Sequence, residues 1–71
     1  MTEQTDELLP GSLIDMKFIT RDSGMTFQWF YRMIKKNEFP APIKLGRSSK
    51  WYYGEYSQWK SDRAKRSRNA P

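Results

Sequence analysis

The sequence contains no cysteine and no histidine, and its apolar runs are short. Without cysteine, disulfides, thiolate metal sites and cysteine nucleophiles are excluded. Without histidine, the chain also lacks the most common general base and the most common metal ligand of proteins. We therefore expect no enzyme here, with no catalytic residue, no metal site and no cofactor.

The apolar runs are only a few residues long, far below the roughly 20 residues that a membrane-spanning helix needs. Residues 1–7 are acidic and polar, unlike the basic and then apolar start of a secretory signal. We therefore expect a cytoplasmic protein that does not contact membranes. With 71 residues, the chain has room for one domain with a small core.

Charge is distributed unevenly along the chain, whose formal net charge is +5. Residues 1–15 hold four acids and no base, whereas residues 16–71 hold thirteen bases and four acids. Such an excess attracts polyanions, and duplex DNA is the densest one that a cytoplasmic protein meets. Solubility alone, or binding to RNA or ribosomes, would account for the same charge. Composition therefore indicates nucleic acid without selecting DNA.

Local composition divides the chain into three parts. Residues 1–11 lack periodicity and end in Pro10-Gly11, so they are predicted to be a disordered leader. Residues 12–65 contain dense apolar positions and are predicted to fold. Residues 66–71 are basic with almost nothing apolar to bury, and they are predicted to be a flexible tail.

The domain is predicted to begin with a short extended segment and a helix. Leu13-Ile14, with Met16, favours the extended segment, and a first helix is predicted over residues 17–23. Gly24 suits the left-handed residue that ends a helix.

A second helix is predicted to start after Thr26, a plausible N-cap, and to run to Lys36. Helix, glycine-containing turn and helix in so short a span are typical of a helix-turn-helix. At about 100° per residue, one side of this helix gathers Phe27, Phe30, Met33 and Ile34, with Tyr31 at its margin. The other side gathers Gln28, Arg32, Lys35 and Lys36, with Trp29 at the edge.

A hairpin and a third helix are predicted to complete the domain. The segment 37–42 contains two prolines and should stop the second helix. Residues 43–45 and 50–52 are predicted strands around a turn at 46–49, which gives a cationic wing. A helix over residues 54–65 follows, and its aromatic residues are predicted to be core rather than base-stacking.

Three stretches of the sequence carry a resemblance to a known family. Residues 24–34 read GMTFQWFYRMI and residues 38–46 read EFPAPIKLG, which resemble the turn, helix and proline-containing bend of the AlpA-type prophage regulators. Residues 12–19, SLIDMKFI, resemble the small phage excisionases of the TorI and Xis types. The family's acidic residue four positions before a tryptophan is matched by Glu55 and Trp59.

The resemblance extends over about residues 12–60 and implies a small α+β fold. This fold is a winged helix-turn-helix related to the MerR and excisionase folds, with three helices and a two-stranded wing. It also implies sequence-specific binding to double-stranded DNA beside an integrase gene or attachment site. By resemblance, Phe27, Gln28, Trp29 and Arg32 fall on exposed recognition-helix positions, and residues 47–50 fall on the wing.

The predicted DNA-binding residues lie on the second helix and the wing. They are Thr26, Gln28, Trp29, Arg32, Lys35, Lys36, Arg47, Ser48, Ser49 and Lys50. In a major groove, arginine reads guanine and glutamine reads adenine. An ordinary solvated helix face would look the same. For Trp29, contact with a thymine methyl group, stacking on a sugar and packing beneath the wing all remain open. Phe27 lies on the apolar side of the helical wheel, and both core packing and DNA contact remain open for it.

Three functions remain open at this stage. The first is a prophage excisionase, a recombination directionality factor that binds near attachment sites and assists integrase-mediated excision. Integrase and further copies of the chain along DNA are its candidate partners. The second is an AlpA-like transcriptional regulator of an integrase or prophage promoter. The third, of another class, is an inhibitor that binds a response regulator.

Overall fold

The structure, a computed structural model, describes residues 8–69. Its elements follow in the order β1 (Leu13–Ile14), α1 (Met16–Ser23), α2 (Phe27–Lys35), β2 (Ile43–Leu45), β3 (Ser48–Tyr52) and α3 (Tyr53–Asn69). The strands form one antiparallel sheet in the order β1-β3-β2. The predicted small α+β winged helix-turn-helix is confirmed. No helix within the described range is long and apolar enough to cross a lipid bilayer.

Side-chain caps define the turn between α1 and α2. The carboxylate of Asp15 accepts a hydrogen bond of 2.9 Å from the backbone N–H of Phe18, which starts α1. Gly24 ends α1 with a φ of 79°, a left-handed conformation that costs glycine no steric strain. The hydroxyl of Thr26 then accepts a 3.2 Å hydrogen bond from the N–H of Trp29. Gly24 as the end of the first helix and Thr26 as the N-cap of the second are therefore both confirmed.

The end of α2 is set by Asn37 rather than by the prolines. Asn37 adopts a φ of 61°, which asparagine tolerates better than most residues with a side chain. The backbone N–H of Glu38 donates to the carbonyl of Met33 at 2.8 Å, and that of Asn37 donates to Ile34 at 3.0 Å. This pair of bonds is a Schellman motif, which closes the helix before the chain reaches residues 40–42.

The core is small and mainly aromatic. Its buried side chains come from β1, α1, α2, the loop after α2, β3 and α3 in turn: Ile14, Ile19, Phe30, Phe39, Trp51 and Tyr56. Phe39 lies 4.9 Å from Phe30 and 4.8 Å from Trp59, measured between ring centroids. The prediction that the aromatic residues of α3 belong to the core is confirmed for Tyr56, whose side chain is fully buried.

Two indole groups hold the loop between α2 and the wing. The Nε1–H of Trp59 donates to the backbone carbonyl of Glu38 at 2.7 Å. The Nε1–H of Trp51 donates to the carbonyl of Pro40 at 2.8 Å. Because Phe39 is buried between these two anchors, the loop has three attachments to the core. The position of the wing relative to α2 is thereby fixed.

Both ends of the described chain are more structured than the sequence indicated. Residues 1–7 of the predicted leader lie outside the described residues. Residues 8–11, however, contribute a turn, and the N–H of Gly54 donates to the carbonyl of Pro10 at 2.9 Å. A β-carbon on Gly54 would approach Pro10 to 3.1 Å, so the missing side chain permits this contact.

The helix predicted to end at residue 65 continues to Asn69, so that end was placed four residues too early. No proline or glycine interrupts the chain between Gly54 and Asn69, and the sequence there contains good helix formers. Residues 66–69 of the predicted tail are therefore helical in the structure. Two smaller boundaries also moved: Met16 belongs to α1, and Ser48 and Ser49 belong to β3.

Candidate nucleic-acid interface

One face of α2 forms a shallow surface groove of about 390 Å³. Its lining side chains are Phe27, Gln28, Tyr31, Arg32 and Lys35. They recur at the spacing that places residues on one face of a helix. The structure therefore brings together three of the predicted α2 site residues. It adds Phe27 and Tyr31, which the helical wheel had assigned to the apolar side and its margin.

The cations in and just after α2 form no ion pairs within the described part of the chain. Within residues 8–69, no carboxylate lies within ion-pair distance of Arg32, Lys35 or Lys36. Cations in the last turn of a helix also interact favourably with its dipole, by about 0.3–1 kcal/mol each. Charge alone therefore does not identify a ligand site. Arg32 and Lys35 also line the groove, which an interaction with the helix dipole does not require. Lys36 lies just past the end of the helix and does not line the groove.

Trp29 lies mainly with the core. Its ring packs edge-on against Phe30 at 5.0 Å and against Trp59 of α3 at 6.3 Å, measured between centroids. The side chain is half-buried as a result. Among the aromatic contacts within residues 8–69, Trp29 meets a ring of α3 and no ring of the wing. Only the remaining exposed part of the ring is available to a ligand.

The wing is a hairpin with a two-residue turn, Gly46-Arg47, shorter than the predicted four-residue turn. Gly46 has a φ of 63°, as a type II′ turn requires of its first central residue. Arg47 is exposed at the tip. The cationic tip of the predicted wing is therefore present.

The predicted wing residues do not share one face. Successive residues of a strand point to opposite faces, and Trp51 points into the core. Ser49 lies on the same face as Trp51, where it accepts a 2.9 Å hydrogen bond from the ammonium group of Lys44. Ser48 and Lys50 lie on the opposite face, away from the helices. Arg47 and Ser48 are exposed, whereas Ser49 and Lys50 are half-buried.

Further cations lie outside the predicted site. Lys65, Arg66 and Arg68 are exposed on the last turns of α3. Lys17 of α1 lies beside α2 and lines a second groove of about 370 Å³ with Met16, Thr20, Phe27 and Tyr31. The position of Lys17 next to α2 could not be predicted from the sequence, because that proximity depends on how the two helices pack. Residues 8–69 contain thirteen cationic and five acidic side chains in total.

Two of these cations, Lys60 and Arg63, form ion pairs within the fold, and Arg63 lies 3.4 Å from the carboxylate of Glu38. Lys60 pairs with Asp22 at 2.7 Å and lies over the ring of Tyr56 at 5.1 Å. The hydrogen bond from Lys60, followed by that from Tyr56, lowers the pKa of Asp22. Burial and then the hydrogen bond to Asp22 raise the pKa of Tyr56. This network joins α1 to α3 and removes Lys60 from the charge available to a ligand.

Comparison with known proteins identifies the family. The family model described as "Prophage CP4-57 regulatory protein (AlpA)" matches residues 16–64, from the first residue of α1 into the second half of α3. The chain belongs to the AlpA family of prophage regulatory proteins. The predicted resemblance is thereby confirmed. The matched range of this AlpA-family protein contains the α2 groove and the whole wing.

Two relatives carry different names. The chain is 33% identical over 55 residues to "Response regulator inhibitor for tor operon" of Escherichia coli K12. It is equally similar to "Probable excisionase hkaC" of Shigella phage Sf6. Each alignment covers 78% of this AlpA-family chain and 83% of the relative. No solved structure matches the chain significantly.

Proposed function

We propose that this AlpA-family chain is a sequence-specific DNA-binding excisionase of a prophage. It acts as a recombination directionality factor that binds near attachment sites and assists integrase-mediated excision. The observation that carries the proposal is the groove of α2, where Gln28, Arg32 and Lys35 lie on one exposed face and the two cations form no ion pair within residues 8–69. The names of the phage relatives support the assignment to excision.

In the proposed complex, α2 enters the major groove, which is wide enough to admit a helix. Arg32 lies at the middle of the groove-lining face and reads a guanine through its two parallel donors. Gln28, one turn earlier, reads an adenine about two base-pair steps away. Lys35 and Lys36 lie nearer the helix end and contact phosphate. Thr26 keeps its role as the N-cap of this helix.

The wing supplies the second DNA contact. Arg47 at the tip enters or borders the minor groove, whose negative potential attracts arginine. Lys50 and Ser48 lie on the outer face of the wing and contact phosphate. Ser49 lies on the other face and contributes mainly through its bond to Lys44. Trp59 and Trp51 hold the loop that joins the wing to α2, so both contacts are made by a rigid unit.

The proposed role is architectural, and the chain has no catalytic step of its own. Strand exchange belongs to the integrase, with which the bound excisionase makes contact. Bending attachment-site DNA costs a few kcal/mol, and several copies bound side by side offset that cost. The exposed cations Lys65, Arg66 and Arg68 of α3 then contact phosphates outside the recognised bases or contact the integrase.

A footprint on the DNA that flanks the gene, with an excision assay on the same fragment, tests this proposal. We expect a discrete protected site and excision that depends on both the integrase and this chain. Protection without an effect on excision would support the second candidate, a transcriptional regulator of an integrase or prophage promoter. The family description, a prophage regulatory protein, favours that candidate.

The name of the Escherichia coli relative favours a third candidate, an inhibitor that binds a response regulator. The response regulator would then bind this protein directly, and DNA would not be needed for the interaction. A pull-down with purified response regulators, in the presence and absence of duplex DNA, separates this candidate from the other two. Response-regulator binding in a chain without DNA affinity would overturn the excisionase proposal.

A further inference from the structure

Two aromatic side chains of α2 are exposed beside its cationic face. Phe27 is 54% exposed and Tyr31 is 42% exposed, although their neighbour Phe30 is completely buried. The rings of Phe27 and Tyr31 meet edge to face, with 6.3 Å between centroids. Neither ring is among the buried side chains of the core. Both rings are therefore open to a ligand.

The surroundings of this pair indicate what kind of ligand it suits. On one side, Phe27 and Tyr31 line the groove that contains Arg32 and Lys35. On the other side, they line the groove that contains Lys17. The two rings thus form an apolar ridge with cations on both sides. A ligand that fits such a ridge is negatively charged at its edges and apolar at its centre.

The major groove of DNA combines these features. Phosphates border it, and the C5-methyl group of each thymine projects into it as an apolar contact point. We propose that Phe27 is a specificity-determining residue that contacts a thymine methyl group, an inference that rests on the proposed function. Tyr31 positions the ring of Phe27 and contacts a second pyrimidine.

The spacing of the two rings makes the proposal more specific. Residues four apart on a helix are separated by about 6 Å along its axis. Successive base pairs are separated by about 3.4 Å. With α2 along the groove, Phe27 and Tyr31 face pyrimidines about two base-pair steps apart. A 5-methylcytosine at either position carries the same methyl group and replaces thymine in this contact.

The test begins with a site selected by the full chain from a random pool of duplex DNA. Each thymine of that site is replaced in turn by uracil, which lacks only the C5-methyl group. We expect one or two positions at which uracil weakens binding by about fourfold, the effect of losing one buried methyl-sized group. With Phe27→Ala, the same replacement should leave affinity unchanged at the position that Phe27 contacts.

Tyr52→Ala provides the matched control, since Tyr52 is an exposed aromatic residue (45%) on the outer face of the sheet. This variant should keep the full thymine-to-uracil effect. Because Phe27 is exposed and outside the core, Phe27→Ala should also melt near the wild-type temperature, which separates a lost contact from a lost fold.

Three results would overturn the inference. Uracil could have no effect at any position, Phe27→Ala could retain the wild-type uracil effect, or Phe27→Ala could bind DNA normally and lose only excision. The last result would make Phe27 a protein-docking residue. In each case sequence-specific DNA binding survives, so the proposed function stands. A wild-type chain that selects no sequence at all would instead overturn both.

Discussion

The hydroxyl of Tyr56 donates a 2.6 Å hydrogen bond to the carboxylate of Asp22, and this bond joins α3 to α1. Asp22 also accepts a bond from Lys60, so one carboxylate receives two donors from the same helix. The position of the helix-turn-helix relative to the rest of the domain therefore depends on an exposed acid near the end of α1.

Asp22→Asn should lower the free energy of unfolding by about 1–2 kcal/mol at neutral pH, because it weakens two hydrogen bonds to a charged acceptor. The pKa of Asp22 is lowered in the fold, so its contribution is present above its ordinary value of 3.8 and is lost as the pH falls. Thermal melts of both proteins should therefore converge below pH 3.8.

Asp62→Asn is the control, since Asp62 accepts only from Gln58 of its own helix among the hydrogen bonds within residues 8–69. Tyr56 affects stability on the alkaline side of the pH profile. Its pKa is raised in the fold, so its contribution decreases as the pH rises above the ordinary value of 10.0. A stability difference for Asp22→Asn that is constant from pH 3 to pH 8 would contradict this account.

Trp59→Ala should lower the free energy of unfolding by about 3 kcal/mol or more, a large part of what a domain this small possesses. The change removes ring contacts to Phe39 and Tyr56 together with the hydrogen bond to Glu38. Trp59→Phe keeps an aromatic ring and should cost less. If Trp59→Ala melts cooperatively at the wild-type temperature, Trp59 does not hold the loop before the wing.

The helix boundaries that depend on local chemistry were predictable from the sequence. Gly24 and Thr26 act within a few residues of their own position, so their types reveal the turn. Asn37 acts just as locally, but the end of α2 was predicted from the two prolines that follow it. The end of α3 was missed because nothing in its sequence breaks a helix before Asn69.

The composition of the α2 face was predictable only in part. A helical wheel gives the angle of each residue around the axis, but it does not identify the neighbour that each turn meets. Trp29 is covered because α3 places Trp59 beside it. Phe27 shares the wheel's apolar side with Phe30, yet it is exposed because no element within residues 8–69 covers that end of the helix to the same extent. Such differences depend on tertiary packing.

Arg47→Ala should weaken binding to duplex DNA and reduce its salt dependence. Losing one phosphate contact makes the negative slope of log affinity against log salt shallower by about 0.9. Leu45→Ala, which alters an exposed apolar neighbour on the same wing, should leave this slope unchanged. An Arg47→Ala chain with wild-type slope and affinity would mean that the wing tip does not contact DNA.

Replacing Lys65, Arg66 and Arg68 together by glutamine should lower affinity for all duplexes by a similar factor. These side chains lie on exposed turns of α3, and glutamine is a good helix former, so helical content should not change. Phosphate contacts do not read sequence, which is why the loss should be uniform. Normal DNA binding with loss of excision would instead make this end of α3 a docking segment for integrase.

The central claim is that α2 reads base sequence, and Arg32 is its most direct test. Selection of binding sites from a random duplex pool, carried out in parallel with the wild-type chain and Arg32→Ala, measures this reading. We expect the wild-type chain to select a defined site. Arg32→Ala should lose about 1–3 kcal/mol on that site and relax the preference at one or two base pairs. An identical selected site for both proteins, or no selected site for the wild-type chain, would contradict the claim.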